Sequence, residues 1–186
     1  MTKDVSIELA NTTEDLKQVL ALQAENHKSV VSREQGLVTG FVTVKHDLSI
    51  LTSMNASAAQ VIAKSDGKVV GYSLVMLEEF KERIPVLIPM FDMFKTLHYQ
   101  GNSVTNYRYY VMGQICVADG YRGLGIVDRM YAKHREVYSS RFDVCLTEVS
   151  TSNPRSMRAH ERVGFKTIHT FSDATDEWNI LLWDWK

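Results

Sequence analysis

Cysteine is scarce in this chain: there are two, Cys116 and Cys145, each inside an apolar run. Two separate thiols exclude a disulfide framework and a cysteine-built metal site, and both read as buried strand residues. An excess of charge is lacking as well. The net charge is −1, so a nucleic-acid or membrane-surface role has no electrostatic support. No apolar run approaches the length of a membrane span, and the N-terminus, MTKDVSIELA, has no signal-peptide core. A cytoplasmic protein is therefore expected. The six histidines show no metal-ligand spacing, so no metal is expected.

What is present suits one globular unit. The 186 residues, 45% of them hydrophobic, can bury a sizeable core, and we expect a single domain over residues 1–186. No internal repeat or low-complexity stretch interrupts it. Val5 to Ala10 alternates as a strand does. Leu16, Val19, Leu20 and Gln23 share one helical face, with Thr13 as the expected cap. Ser32 to Gly40 reads as a loop, and residues 45–55 as a short second helix. Asp66-Gly67 sits between two β-rich runs, which is a strong hairpin signal. A mixed acidic and apolar insertion near 78–100 follows, helical after Pro89. Strands are expected at 107–117, in DVCLTEVS, in FKTIHTF and in EWNILLWDW. Helices are expected after the glycine turn at 121–127 and from Asn153, with Pro154 in its first turn and Gly164 at its end. This order implies a mixed sheet with helices on its faces.

The turn YRGLGIV joins a strand to a helix start. Unpaired N–H groups and the helix dipole make such a place an anion site, and Gly123 and Gly125 let a backbone nest form. Arg122 adds a charge-assisted contact. The guest is not held as in a P-loop, because no lysine followed by serine or threonine is present. A dinucleotide fingerprint would need glycine where Asp128 stands, and would come in an early βαβ unit.

In this setting ICVADGYRGLGIVDRMY resembles motif A of the GNAT N-acetyltransferase superfamily, with Arg122 and Gly125 in place and Val127 where the family has a small residue. NPRSMRAHERVGF resembles the family's later helix, with Asn153, Ser156, Gly164 and Phe165 in place and His160 where tyrosine is common. The resemblance covers residues 107–171 well. It implies an α/β fold with a mixed, splayed sheet covered by helices on both faces. It further implies acetyl transfer from acetyl-CoA to a primary amine, on a small molecule or a peptide, by direct attack on the thioester. Ile115, Cys116 and Val117 would line the pantetheine arm. The amides of Arg122, Gly123, Leu124, Gly125, Ile126 and Val127 would hold the pyrophosphate, and Asn153 and Ser156 would meet the cofactor. His160 would act as general acid toward the thiolate, or else be an ordinary helix residue. Glu148, on the strand beside the cleft, is the candidate base, directly or through water, or else a solvated carboxylate. Tyr107 and Tyr109 either line the acceptor side or pack in the core. The apolar insertion either covers the acceptor site or packs on the core or on a second copy in a homodimer. A non-catalytic acyl-CoA sensor is the alternative function.

Overall fold

The computed structural model describes residues 3–32, 41–174 and 176–186. Most of the loop expected at Ser32–Gly40 lies outside the described residues. The chain runs β1 (Ser6–Leu9), α1 (Thr13–Glu25), α2 (Leu48–Ser57), β2 (Val61–Ser65) and β3 (Lys68–Met76). An insertion follows, containing α3 (Ile88–Phe94), β4 (His98–Tyr99) and β5 (Asn102–Ser103). The chain then continues through β6 (Tyr109–Val117), α4 (Ile126–Tyr138), β7 (Val144–Ser150), α5 (Pro154–Val163), β8 (Lys166–Ser172) and β9 (Glu177–Asp184). Seven strands form one sheet in the order β1-β2-β3-β6-β7-β9-β8. Only β6 and β7 pair in parallel within it.

Period-two alternation sorts the side chains of this sheet to two covered faces. Leu181 and Trp183 pack with Met130, Tyr131 and Tyr138 of α4. Ile180 and Leu182 point the other way and pack with Met54 of α2 and with Phe91 and Phe94 of α3. On that same face, Leu16, Val19 and Leu22 of α1 cover Ile62, Tyr72 and Leu74.

Local chemistry fixes the ends of the elements. Asp66 and Gly67 both take positive φ, 49° and 74°, as a two-residue turn matched to strand twist requires. The cap of α1 is Thr12 and not Thr13. Its Oγ1 accepts from the Asp15 amide at 3.0 Å while the Asp15 carboxylate accepts from the Thr12 amide at 3.1 Å. That reciprocal pair satisfies two otherwise orphaned donors, which the neighbouring threonine, one residue inside the helix, cannot do. Asn153 caps α5 through the Ser156 amide, and Gly164 ends it at φ 113°. A Cβ at Gly164 would lie 2.9 Å from the Trp183 indole nitrogen, so both backbone and packing demand glycine there.

The insertion is part of the core. Met90, Phe91, Phe94 and Leu97 are buried against β6, β7 and β9. Tyr109 donates to Glu78 at 2.6 Å and Tyr107 donates to the Tyr99 carbonyl at 2.9 Å, so both tyrosines bind the insertion. The small β4–β5 hairpin, turning at Gln100 and Gly101, was not expected from the sequence.

One irregularity opens the sheet. Between Ser73↔Ile115 and Val75↔Met112, two steps along β3 are matched by three along β6. The extra residue at Gly113–Gln114 is a bulge, which bends and twists its strand. Beside it the parallel pairing of β6 with β7 stops after Val111↔Leu146. A last tie, Thr147 Oγ1 donating to the Met112 carbonyl at 2.9 Å, closes the base of the opening.

Candidate functional site

A continuous cleft starts at the glycine turn and ends between the splayed strands. Its outer end is framed by Tyr121, Gly123, Gly125, Asp128 and the arginines of α5. Its middle is lined by Ile115, Cys116, Val117, Val127, Asn153 and Ser156. Its inner end holds Met112 to Ile115 of β6 opposite Thr147 to Ser150 of β7, with His160 and Trp178. The structure therefore brings together every residue expected at the site except Leu124, with Ile126 at the outer end. Leu124 is 48% exposed and Ile126 is 2% exposed in the core, so each can offer a guest its backbone more readily than its side chain.

The turn is shaped for an anion. Gly123 and Gly125 take φ of 79° and 68°, and a Cβ on either would meet nothing within 4 Å. Conformation and not crowding selects glycine, which leaves open space above the turn. Amides in the first turn of α4 have no carbonyl behind them and face the positive end of its dipole. Arg122 is anchored inward. Its Nε donates to the Val117 carbonyl at 3.0 Å and its Nη2 to Asn26 Oδ1 at 2.8 Å. The guanidinium thus ties the end of α1 to the turn while still lining the cleft. Asp128 would oppose an anion, but Arg162 grips its carboxylate at 2.7 and 3.0 Å.

At the inner end, burial and then the charge of Asp173 push the Glu148 carboxyl up to about 7. His160 is 1% exposed, and burial lowers its imidazole to about 4. Its Nδ1 donates to the Ser156 carbonyl at 2.7 Å, and Nε2 has no hydrogen-bond partner. The neutral ring therefore carries its only proton away from Nε2. Acid chemistry at Nε2 would require the imidazolium that burial disfavours. The Cys116 thiol is pushed up to about 12 by burial, which suits a wall and not a nucleophile.

Several lining residues escaped sequence reading. Asn26, Phe41, Val42, Thr43 and Trp178 come from distant parts of the chain. A buried network holds the 42–46 segment against the bulge. Gln114 donates to the Val44 carbonyl at 2.7 Å and accepts from Gln23 and Tyr72, each at 2.8 Å. Arg155, Arg158 and Arg162 did carry a signal, since their spacing places them on one face of a helix. Among the described residues, no group of three or more His, Cys, Asp or Glu is placed to hold a metal, and no helix is long and apolar enough to cross a membrane.

The fold and the site can now be set beside known proteins. A search of curated proteins by sequence finds no match. Among solved structures, the chain resembles a GNAT-family acetyltransferase from Streptococcus agalactiae at 13% identity and TM-score 0.68, covering 98% of this chain and 96% of that one. It resembles the ribosomal-protein-S18-alanine N-acetyltransferase of Escherichia coli at 12% identity and TM-score 0.63, covering 97% and 94%. It also resembles Arabidopsis thaliana Naa50, solved with the bisubstrate analogue CoA-Ac-MVNAL, at 13% identity and TM-score 0.63, covering 96% and 97%. These likenesses show the shared mixed-sheet fold. The model of the acetyltransferase (GNAT) family matches residues 39–165, a span that includes the glycine turn, the splayed strands and α5, and so the chain belongs to the GNAT family of acetyltransferases.

Proposed function

We propose that this protein transfers an acetyl group from acetyl-CoA to a primary amine by direct attack. The observation that carries the reading is the run of adjoining chambers that share lining residues, from an open anion turn, along Ile115 to Val117, to a partly buried carboxyl at the splay. The residues fit the cofactor on chemical grounds. The space above Gly123 and Gly125 and the donors of the turn suit a pyrophosphate, and the half-buried middle suits a thin, mostly apolar arm. When bound there, acetyl-CoA supplies the activated acyl group.

The protein's own part is positioning and proton removal. Glu148, with its carboxyl near neutrality, takes the proton of the attacking ammonium or amine, directly or through one water. Asn153 and Ser156, at the start of α5, flank the middle and inner parts of the cleft, where they would border the thioester of a bound acetyl-CoA. A thiol of ordinary acidity leaves as thiolate near neutral pH, so no protein acid is needed and His160 serves as a neutral wall. The acceptor is a small-molecule or peptide amine entering past Phe41 and Trp178.

The test is calorimetric titration with acetyl-CoA, followed by thiol release with a panel of amines. Parent protein should bind and turn over, and Gly125→Glu should lose binding by 100-fold or more (about 3 kcal/mol), since it puts a carboxylate and a strained φ into the turn. Binding without turnover on any amine would favour a non-catalytic acyl-CoA sensor. No binding in the parent would remove the reading.

A further inference from the structure

One wall of the inner cleft belongs to neither helix nor sheet. Residues 41–46 are irregular apart from a single bridge between Val42 and His27, yet Phe41, Val42 and Thr43 line the inner end. Backbone without a ladder keeps its place only through other partners. For the first part of this wall they come from the end of α1. The Val42 amide donates to the Asn26 carbonyl at 3.0 Å, and His27 Nε2 donates to the Thr43 carbonyl at 3.0 Å. From Val44 onward they are two buried glutamines. Gln114 Nε2 donates to the Val44 carbonyl at 2.7 Å, and Gln23 Oε1 accepts from the His46 amide at 2.8 Å. The Gln114 amide has a fixed direction. Its oxygen accepts from Tyr72 and Gln23, each at 2.8 Å, so its nitrogen is the end that faces Val44. Gln114 also sits in the bulge of β6 and lines the inner end itself. One side chain thus joins the strand beside the thioester's expected place to the wall that faces an entering acceptor.

We propose that Gln114 is a positioning residue for the acceptor amine. Through the Val44 carbonyl it sets the wall of Phe41 to Thr43 against the bulge, and so fixes the width open to an acceptor. This rests on the acetyltransferase reading of the cleft. The hydrogen-bond partners of Gln114 are Val44, Tyr72 and Gln23, none of which belongs to the glycine turn, so acceptor and cofactor effects separate.

Steady-state kinetics of the full chain with spermidine, benzylamine and trialanine, beside calorimetric titration with acetyl-CoA, test the assignment. Gln114→Met keeps the length of the side chain and removes both polar atoms. It should raise KM for the amine that the parent acetylates by about tenfold, with the acetyl-CoA Kd within about twofold of the parent. Tyr72→Phe removes one donor to the Gln114 oxygen and leaves the Val44 contact in place. It should melt lower than the parent while both constants stay near the parent's. An amine KM in Gln114→Met equal to the parent's overturns the proposal and leaves the acetyltransferase reading standing. So does a KM raised as much in Tyr72→Phe, because general loosening then explains it. Hydrogen exchange on the parent reads the wall even where Gln114→Met does not fold. The His46 amide should exchange as slowly as the amides of β6, and rapid exchange there overturns the proposal. Acetylation of none of the amines by the parent refutes the reading itself, and the proposal with it.

Discussion

Glu148 joins two properties in one side chain. Its carboxyl is raised to about 7 because burial and the neighbouring Asp173 oppose ionisation. In the proposed role of base it would work only when ionised, so kcat is expected to rise with pH through about 7 and level off above. Glu148→Gln should lower kcat by roughly 10²–10⁴-fold while leaving acetyl-CoA affinity near that of the parent. The same shift acts on stability with a definite sign. The folded state holds this proton more tightly than the unfolded chain. The resulting stabilisation is full below the ordinary glutamate range and is lost as pH rises through about 7. Glu148→Gln should therefore melt higher than the parent at about pH 8 and gain nothing at about pH 4. A variant that loses activity without gaining stability at the higher pH would place the carboxyl in solvent.

The insertion between β3 and β6 acts as a piece of core. Phe94 is fully buried, with its ring 5.7 Å from Phe91 and 5.8 Å from Tyr109, edge to face in both cases. Phe94→Ala is expected to cost about 3–5 kcal/mol, read as a lower urea midpoint, with KM for acetyl-CoA little changed. A large change in acceptor KM without loss of stability would instead make the insertion a cover for the acceptor. Elements with short-range chemistry were legible in the sequence: the Asp66-Gly67 hairpin, the Asn153-Pro154 start and the Gly164 end all follow from local sterics and capping. Features that depend on partners were not. The bulge at Gly113–Gln114 exists only relative to β3, and the sequence VMGQICV reads as an unbroken strand. Gln100-Gly101 is a weaker turn signal than Asp66-Gly67, and its strands are two residues long. At the site, the glycine turn and α5 could be read because one motif carries several residues. Asn26, Phe41 and Trp178 could not, since nothing near them in sequence reveals that the fold delivers them to the cleft.

The whole molecule holds three histidines in surroundings that resist charge. Burial lowers His46 to about 4, His134 to about 3 and His160 to about 4. An unfolded chain takes up these protons near pH 6.5, whereas the folded one does so only around pH 3–4. Their contribution is thus complete above about pH 6.5 and lost as pH falls toward 4, three protons against the single opposing one of Glu148. Urea midpoints should drop steadily from about pH 7 to about pH 4, and a flat profile would mean that water reaches these rings. The strand order has a consequence of a different kind. β9 lies inside the sheet, between β7 and β8, although the other six strands of the sheet precede it in sequence. In the full sheet β8 pairs only with β9, so on a ribosome it waits for residues up to Asp184 before it has a neighbour. Trp178, on that same strand, reaches the cleft no sooner. A nascent chain can hold the glycine turn and α5 complete while the inner end of the cleft still lacks a wall, which only β9 supplies.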